Sequence, residues 1–360
     1  MEAISNQGVI VEHKSIISAE SYRSSTSPLD RILLRVRMYI EYPFRLMLAS
    51  IFDRGPRIYV VTTNTFFAPL IALLFSRQNQ KVVHLVWDLY PDVLVNNDAE
   101  VDSNFLLLLV SKLVSVIFNR SAANVFLGVR LRAHAESRFP MVSNPHVIPV
   151  GADASLFLEK QFTVSDSNEP VDILYCGNMG AMHDTDTIIS AIDIISNQVD
   201  LKASFNLTFH ASGPNYPKFK DDISARSGHV TDNIYLNSGL SNLAWQNRML
   251  KAQVALVTMK PGSEKLVMPS KVYSALVAGQ AILAICPSDS DLARLIIENN
   301  CGWVVEPGSH AQWLAAIQEI TTNRSLLFSR QKNSYLIGHS KFSAEAVSIE
   351  WLKLFVSLKG

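Results

Sequence analysis

Residues 264–279 read EKLVMPSKVYSALVAG and follow a short apolar run, Val254–Val257. The apolar run is typical of a buried strand. Pro269 and Ser270 then mark the start of a helix, with Ser270 as the predicted N-cap and Gly279 as the predicted stop. A helix N-terminus carries partial positive charge and free N–H groups, so this strand, loop and helix form a unit suited to binding an anion such as a nucleotide diphosphate.

Two charged residues in this stretch each leave two interpretations open. Lys271 lies in the first turn of the predicted helix, where a cation opposes the helix dipole. Either an anion lies between Lys271 and the N–H groups, or Lys271 is a solvated surface lysine. Glu264 either accepts hydrogen bonds from sugar hydroxyls, which a carboxylate does strongly, or is an exposed loop residue.

The composition narrows the class of protein. A chain of 360 residues predicts two domains, and 32 basic against 32 acidic residues leave no net field to attract nucleic acid. Cys176, Cys286 and Cys301 are too few and too far apart for a disulfide framework or a zinc cluster. The polar start of the chain predicts no signal peptide, and no apolar run is long enough to cross a membrane. We expect a cytoplasmic protein, with a hydrophobic share of 48% that leaves room for membrane contact.

Apolar runs alternate with helical patterns along the whole chain. In the first half the expected helices are Ala68–Phe75 and Asn104–Phe118, the latter broken by Lys112, and the expected strands are Val9–Val11, Arg57–Val61, Val82–Val86, Asn124–Leu127 and Val147–Val150. In the second half the expected helices include Asp186–Ile195 and Ala344–Ser357, and the expected strands are Asp172–Tyr175, Phe205–His210, Ile234–Leu236, Val254–Val257, Ala281–Ile285 and Gly302–Val305. Strands separated by helices predict an α/β fold with two doubly wound parallel sheets that face each other across a cleft.

The domain boundaries follow from a polar stretch at 159–170, which we interpret as a linker. It separates an N-terminal domain at 1–158 from a C-terminal domain at 171–335. Residues 336–360 are predicted to form a C-terminal helix that packs back toward the N-terminal domain.

Glycines follow the first strand of the second half in Tyr175–Gly180 (YCGNMG). Gly177 and Gly180 would let the backbone approach a phosphate closely, with a helix N-terminus nearby. Because the sequence matches neither the P-loop nor the GxGxxG fingerprint, a simple tight turn is an equally open interpretation.

Paired acids occur in two places, at Asp184 and Asp186 and at Asp289 and Asp291. Both pairs match the Asp-x-Asp pattern that can hold Mg²⁺ or Mn²⁺ beside a sugar nucleotide. Each pair also precedes a helical pattern, where Asp is a common capping residue. We favour capping, and predict neither a metal nor a cofactor.

His84 and Asp88 flank the end of the strand in HLVWDLYPD. Both could face a cleft, and either could accept a proton from an attacking hydroxyl. The alternative for His84 is a histidine that finds a hydrogen-bond partner inside the sheet.

Arg31–Leu48 combines four arginines with many large apolar side chains, and Pro43 interrupts the predicted helix. A basic, amphipathic segment of this kind suits a peripheral contact with anionic lipid headgroups, made by Arg31, Arg35, Arg37 and Arg45. An ordinary core-facing helix with a basic outer face fits the same pattern.

Taken in order along the chain, several motifs resemble those of the family 4 retaining glycosyltransferases, which have the GT-B fold. The resemblance is closest to bacterial members that build polysaccharide and lipopolysaccharide, and it covers about Val82–Leu352. The matching motifs are WDLYPD (Trp87–Asp92), YCGNMGAMHD (Tyr175–Asp184), HASGP (His210–Pro214), SEKLVMPSKVYSALVAG (Ser263–Gly279) and CGWVVEPG (Cys301–Gly308).

The resemblance implies roles for individual residues. Gly177, Asn178, Gly180 and Gly213 would line the diphosphate, Ser270 and Lys271 would complete that pocket, Glu264 would hold hydroxyls of the transferred sugar, and His183 would contact the donor. It further implies metal-independent transfer from a nucleotide-sugar to a lipid-linked or glycan acceptor, with retention at the anomeric carbon and no protein nucleophile.

The chain departs from the family pattern in three ways. A second Glu that binds ribose in relatives would fall at Ser274, or at Val272 by its spacing from the first Glu, so Ser274 is expected to make a weaker ribose contact. Ala181 and Met182 occupy the place of a usual Arg. The first strand and its glycine-rich turn are not recognisable before Val11, so we expect either a misassigned start or the loss of a loop. These departures keep a second hypothesis open, a non-catalytic sugar-nucleotide-binding or partner subunit.

Overall fold

The computed structural model describes residues 2–6, 8–12, 28–63, 65–95, 104–158, 160–162, 169–195, 198–226 and 232–359. The side chains of residues 2, 28, 31, 199 and 200 are outside this description. The predicted linker falls partly outside it as well. The chain divides into two compact units, one formed by Met1–Pro149 with Ser348–Gly360 and the other by Val150–Val347.

The first unit contains a sheet of four parallel strands in the order β1-β2-β3-β4. The strands are β1 (Arg57–Thr62), β2 (Gln80–Val86), β3 (Ala123–Phe126) and β4 (Pro145–Val147). The helices around it are Glu2–Ser5, Pro28–Val36, Tyr42–Phe52, Ala68–Phe75, Phe105–Arg120 and Val129–Arg138, with a π-helical turn at Arg37–Glu41 and a 3₁₀ turn at Asp92–Leu94.

The second unit contains six parallel strands in the order β10-β9-β8-β5-β6-β7. They are β5 (Val171–Asn178), β6 (Phe205–Ser212), β7 (Ile234–Asn237), β8 (Val254–Thr258), β9 (Ala281–Ile285) and β10 (Gly302–Val305). Its helices are Asp186–Ile195, Val199–Ala203, Tyr216–Ser224, Asn242–Lys251, Lys271–Val277, Asp291–Glu298, His310–Thr322 and Arg324–Lys341, with a 3₁₀ turn at Ala154–Phe157. The helix Ala344–Ser357 spans the second boundary between the units.

Helices cover both faces of the second sheet, because alternate residues of its strands are buried in two different clusters. Ile173 and Tyr175 of β5 pack into one cluster with Trp313, while Leu174 of β5 packs into the other with Leu276. Side chains of a strand point to opposite faces in turn, so a sheet buried on both sides needs continuous apolar strands such as AILAI of β9. The predicted α/β class with two parallel sheets is therefore confirmed.

Several predicted elements differ from the observed ones. Val9–Val11 is not a strand, since no neighbouring strand pairs with it among the described residues and Ile10 is 94% exposed. The strand expected at Val147–Val150 lies earlier, at Pro145–Val147, where it pairs with β3. Lys112 does not break its helix, because its side chain points to solvent from a continuous Phe105–Arg120 helix.

The helix interruption that was predicted at Pro43 lies just before that residue, at Arg37–Glu41. Pro43 falls in the first turn of the Tyr42–Phe52 helix, where a missing N–H costs little. The preceding Arg37–Glu41 segment widens into a π-helical turn, in which the Tyr42 N–H donates to the Arg37 carbonyl. Along the described part of the chain, no helix is both long and apolar enough to cross a membrane.

Candidate functional site

The strand order of the second unit creates a crevice between β5 and β8. From β5 the chain builds the sheet outward through β6 and β7, then returns to the other side of β5 with β8. The loops after β5 and β8 therefore leave the sheet at a topological switch point, where ligands of open parallel sheets bind. The two loops are tied together, since the Lys260 N–H donates to the Met182 carbonyl at 3.0 Å.

The loop after β5 is shaped by glycines. Gly177 has a φ of 131° and Gly213, after β6, a φ of 107°. A Cβ on Gly213 would lie 2.1 Å from Asn178 Oδ1 and 2.9 Å from the Met179 carbonyl oxygen. Only glycine permits both this backbone conformation and this approach. Gly180, the other predicted phosphate-loop glycine, does not have a positive φ.

Lys271 reaches the end of β5, where its hydrogen bonds within the described residues go to neutral oxygens. Its ammonium donates to the Tyr175 hydroxyl at 2.7 Å and to the Asn178 carbonyl at 3.3 Å. It also lies 3.9 Å from the centroid of the Tyr175 ring. Tyr175 is fully buried, and its hydroxyl donates to the Asn178 carbonyl at 3.1 Å. The predicted residues Lys271 and Asn178 therefore form one cationic corner together with Tyr175, which was not predicted to take part.

Burial is the main cause of the shifted pKa values of Lys271 and His183 at this corner. Loss of hydration lowers the pKa of Lys271 to about 7, with a small opposing effect from Cys176. Burial, followed by the charge of Lys271, lowers the pKa of His183 to about 4. His183 Nδ1 lies 3.0 Å from the Gly180 nitrogen and 3.2 Å from the Gly180 carbonyl oxygen, so the Gly180 backbone holds the ring in place. An incoming anion would meet a cation that has no carboxylate among its hydrogen-bond partners within the described chain.

Ser270 occupies the N-cap position of the Lys271–Val277 helix, as predicted, but its hydroxyl makes no capping bond. The helix ends at Val277, and Gly279 follows with a φ of 68°, consistent with the predicted stop. Ser274 is half-buried and lines a cavity of about 60 Å³ with Lys271, Cys176, Trp245 and Gln280. The sequence contained no signal that Trp245 or Gln280 would join this cavity.

Glu264 lies in the loop between β8 and this helix. The loop is folded by Ser263, whose hydroxyl donates to the Lys260 carbonyl at 2.6 Å. Glu264 Oε2 is buried and accepts no hydrogen bond from any residue that the structure describes. A buried carboxylate oxygen without a donor is costly, so this atom is suited to a hydroxyl supplied by a ligand.

The two acid pairs differ in how they relate to the helices that follow them. Asp184 accepts from the Thr187 N–H at 3.0 Å and from its hydroxyl at 2.6 Å, so it caps the Asp186–Ile195 helix as favoured. In the second pair the prediction is wrong about the capping residue. Ser290 accepts from the Ala293 N–H at 3.1 Å, because its short hydroxyl reaches the first turn. Groups of three or more potential metal ligands do not occur within the described residues.

The Asp184 cap also joins a later loop. The Gly308 N–H donates to the Thr187 hydroxyl oxygen at 2.8 Å, which links the end of CGWVVEPG to the loop after β5. Glu306 in the same motif accepts from the Ser288 N–H at 2.7 Å. These bonds hold together loops that follow three different strands, and sequence analysis did not anticipate them.

His84, in the first unit, lies inside the sheet rather than at an open surface. It is 1% exposed, and its Nδ1 lies 3.1 Å from Oδ1 of Asn124, its direct partner on β3. The Asn124 amide nitrogen donates to the carbonyls of Phe118 and Ser143, so its oxygen faces His84 and Nδ1 carries the proton. Burial lowers the pKa of His84 to about 4, and its Nε2 has no hydrogen-bond partner within the described chain.

Asp88 is half-buried and lines a small cavity together with His84, Thr63 and Tyr90. The Thr63 hydroxyl accepts from the N–H groups of Trp87 and Asp88 at 3.0 and 3.2 Å, which fixes the start of this loop. Burial raises the pKa of Asp88. The first unit therefore brings His84 and Asp88, both predicted, to one cavity.

Asp92, at the end of WDLYPD, is buried beside His134 and Arg138. His134 Nε2 and Arg138 Nε lie 3.4 and 3.5 Å from its carboxylate. This ion pair anchors the motif to the Val129–Arg138 helix, and it was missed because its members are far apart in the sequence.

The arginines predicted to contact lipid differ in their surroundings. Arg35 and Arg45 are exposed, and Arg37 is half-buried. Arg37 and Arg45 share Glu41, with distances of 3.3 and 2.6 Å to its two carboxylate oxygens. The side chain of Arg31 lies outside the described residues.

Comparison with known proteins adds sequence and fold relationships. No model of a protein family matches the sequence. The chain is 25% identical over 354 residues to the probable glycosyltransferase WbjE of Pseudomonas aeruginosa, covering 91% of this chain and 84% of that protein.

Solved structures show the same fold at lower identity. Sucrose-phosphate synthase of Thermosynechococcus elongatus has a TM-score of 0.66 and 14% identity, covering 92% of this chain and 80% of that one. HepE of Anabaena, solved in complex with UDP, has a TM-score of 0.67 and 10% identity, covering 88% and 82%. By sequence the chain is a homologue of a probable glycosyltransferase, and its two parallel-sheet units have the GT-B fold.

Proposed function

We propose that this protein is a retaining glycosyltransferase that moves a sugar from a nucleotide-sugar donor to a lipid-linked or glycan acceptor during cell-surface polysaccharide synthesis. The observation that carries the proposal is Lys271, a partly dehydrated cation at the switch point between β5 and β8. Its hydrogen-bond partners among the described residues are the neutral oxygens of Tyr175 and Asn178. The homologue WbjE and the UDP-bound HepE support a nucleotide-sugar as the donor.

The diphosphate is proposed to bind in the loop of Gly177, Asn178 and Gly180, with Gly213, Ser270 and Lys271 around it. Dehydration makes the Lys271 ammonium unstable in the free protein, and a diphosphate restores its charge partner. During transfer the bond between the anomeric carbon and the diphosphate oxygen breaks, so negative charge grows on that oxygen. Lys271 then stabilises the charge more strongly than in the bound donor, which accelerates the reaction.

The transferred sugar is proposed to bind Glu264. Its buried Oε2 lacks a donor among the described residues, and sugar hydroxyls are suitable donors. His183 is neutral at pH 7 and close enough to Lys271 for that charge to lower its pKa, and it is assigned a contact with the donor. Ser274, beside Lys271 in the 60 Å³ cavity, is assigned to the nucleotide ribose.

The acceptor hydroxyl is proposed to attack the anomeric carbon from the face that the diphosphate leaves, which gives retention without a protein nucleophile. The acceptor oxygen forms the new bond and loses a proton, and His84 and Asp88 are the candidates to receive it. Asp88 suits this role better, since it is half-buried with a raised pKa, whereas His84 is enclosed by the sheet. The arginines Arg31, Arg35, Arg37 and Arg45 would contact anionic headgroups near a lipid-linked acceptor.

A donor screen tests the proposal. Purified protein is incubated with UDP-, GDP- and dTDP-sugars and a membrane lipid extract, with and without EDTA, and release of the nucleoside diphosphate is measured. We expect one donor to release its nucleoside diphosphate only when an acceptor is present, and EDTA not to inhibit this release. The NMR spectrum of the product should show the same anomeric configuration, axial or equatorial, as the donor sugar.

Two outcomes would contradict it. Tight nucleotide binding without turnover of any donor would favour the non-catalytic subunit, in keeping with the loss of an acidic residue at Ser274. Conversion of a donor sugar without any acceptor would favour an epimerase.

A further inference from the structure

The outer face of the Phe105–Arg120 helix is apolar where solvent-facing residues are normally polar. Phe105, Leu108, Leu109, Lys112 and Val116 follow the spacing of one helical face, and all five are exposed. Four of them are large apolar residues, and Phe105 is 78% exposed. Lys112 is the single charged member of this stripe.

The helices that pack next to this one also carry exposed apolar side chains. The Ala68–Phe75 helix packs against both the Phe105–Arg120 helix and the Tyr42–Phe52 helix. Exposed apolar side chains occur on all three: Phe44, Ile51, Phe52, Leu74, Phe75 and Leu106. Scattered exposed apolar residues are ordinary, but a concentration on adjacent helices marks an interaction surface.

The charge of this region differs from that of the whole chain. Residues 28–52, 68–75 and 105–120 contain six basic residues (Arg31, Arg35, Arg37, Arg45, Lys112 and Arg120) and two acidic ones (Asp30 and Glu41). The difference of six and two is a net charge of +4, whereas the complete chain has none. These segments of the first unit therefore carry a net positive charge in a chain that has none overall.

This charge decides between two possible occupants. In a symmetric dimer the same patch meets itself, which would bring two sets of +4 together. An anionic bilayer instead offers acyl chains to the apolar residues and phosphates to the cations. The Phe105–Arg120 helix has 16 residues, fewer than the about 20 that a spanning helix needs, so it would lie in the plane of the surface.

We infer that the exposed face of the Phe105–Arg120 helix, Phe105, Leu106, Leu108, Leu109 and Val116, inserts into the headgroup region of an anionic bilayer, with Lys112 reaching back to the lipid phosphates. Its four-carbon stem can lie along the apolar surface while the ammonium stays in the wet layer. The inference deepens the proposed function by adding an apolar anchor to the arginines, and it rests on that function only for the lipid-linked nature of the acceptor.

Co-sedimentation with vesicles tests it without requiring catalysis. The full chain is mixed with phosphatidylglycerol or phosphatidylcholine vesicles, and the bound fraction is measured at low and high salt. We expect binding to the anionic vesicles that weakens with salt. The double variant Leu106→Glu with Leu109→Glu should lower the partition coefficient at least about tenfold, and Lys112→Gln about fivefold.

Leu106→Glu places an acid in the first turn of a helix, where it does not oppose the dipole. Leu243→Glu is the matched control, since Leu243 is also the second residue of its helix and is 70% exposed against 68% for Leu106. Lys220→Gln, an exposed lysine of the second unit, controls for charge. Both controls should bind vesicles as the wild type does.

Three results would overturn the inference. One is no binding to anionic vesicles at low salt, and another is unchanged binding by the double variant. The third is a wild-type dimer in sedimentation without lipid that Leu106→Glu with Leu109→Glu converts to a monomer, which would assign the face to a second copy. Because nucleotide-sugar turnover is measured separately, failure here leaves the proposed transferase activity to be judged by its own assay.

Discussion

The Lys271 ammonium lies 2.7 Å from the Tyr175 hydroxyl, although the two residues are 96 positions apart in the chain. Tyr175 is fully buried and donates onward to the Asn178 carbonyl, so the lysine ends against a rigid, neutral support. An ammonium held in this way is poorly hydrated and has no acidic hydrogen-bond partner among the described residues, which prepares it to bind a multiply charged anion.

Removing this ammonium should weaken donor binding. For Lys271→Ala we expect the dissociation constant of a nucleotide-sugar to rise by about ten- to hundredfold, because a charged hydrogen bond to the diphosphate is lost. Calorimetric titration measures it. Lys251→Ala, which removes an exposed lysine of the same unit, is the control. Equal affinities for the two variants would remove Lys271 from the donor site.

Donor binding should also depend on pH through the same residue. The pKa of Lys271 is about 7 in the free protein, and a bound diphosphate raises it. Affinity is then constant below pH 7 and falls as the pH rises above 7, by up to about tenfold per unit, with a proton taken up on binding. An intact nucleotide-sugar is the appropriate probe, since its diphosphate does not titrate near neutrality.

In Lys271→Arg the guanidinium stays charged throughout this range, so the slope should disappear. A slope that persists in Lys271→Arg would assign the pH dependence to another group.

Glu264 should separate sugar recognition from nucleotide recognition. Glu264→Gln is expected to lower kcat/KM for the complete donor at least about tenfold, because a neutral amide accepts sugar hydroxyls more weakly than a carboxylate. Binding of the free nucleoside diphosphate should not change. The exposed Glu298→Gln serves as the control, and an equal loss of nucleotide affinity in Glu264→Gln would contradict the assignment.

Gly213 should be essential for the geometry of the β5 loop. Gly213→Ala places a Cβ 2.1 Å from Asn178 Oδ1 and requires a φ of 107°, so we expect a loss of about 2 to 4 kcal/mol in the free energy of unfolding. Urea denaturation measures it. Gly239→Ala is matched by position near the end of a strand. No described atom beyond its two neighbouring residues lies within 4 Å of the place its methyl carbon would take, so it should be almost neutral.

His84 should make the first unit sensitive to acid. Its pKa is about 4 in the folded protein, against an ordinary value of 6.5, so the unfolded chain binds the proton more readily between these values. The stabilisation from the neutral, buried ring is complete above pH 6.5 and is lost as the pH falls toward 4, by up to about 3 kcal/mol. Thermal unfolding at pH 7 and pH 5 should show this slope in the wild type and a smaller one in His84→Gln.

The sequence alone determined the order and type of most elements. Ala68–Phe75 and Asp186–Ile195 are helices with the predicted bounds, and Ala281–Ile285 is a strand with the predicted bounds. Continuous apolar runs such as AILAI belong to strands buried on both faces, so such strands can be recognised from a short stretch of sequence. Val9–Val11 is equally apolar but has no partner strand among the described residues. An apolar composition is therefore not sufficient to make a run of residues a strand.

Within the candidate site, the sequence indicated Lys271, Asn178 and the glycines, because their motifs are contiguous. Only the tertiary structure brought Lys271 to Tyr175, His84 to Asn124, and Asp92 to Arg138. Each of these contacts joins residues from different elements, and their hydrogen-bond partners and pKa values depend on how neighbouring strands and helices pack. Burial and pairing are properties of that packing, so no local pattern of residues could specify them.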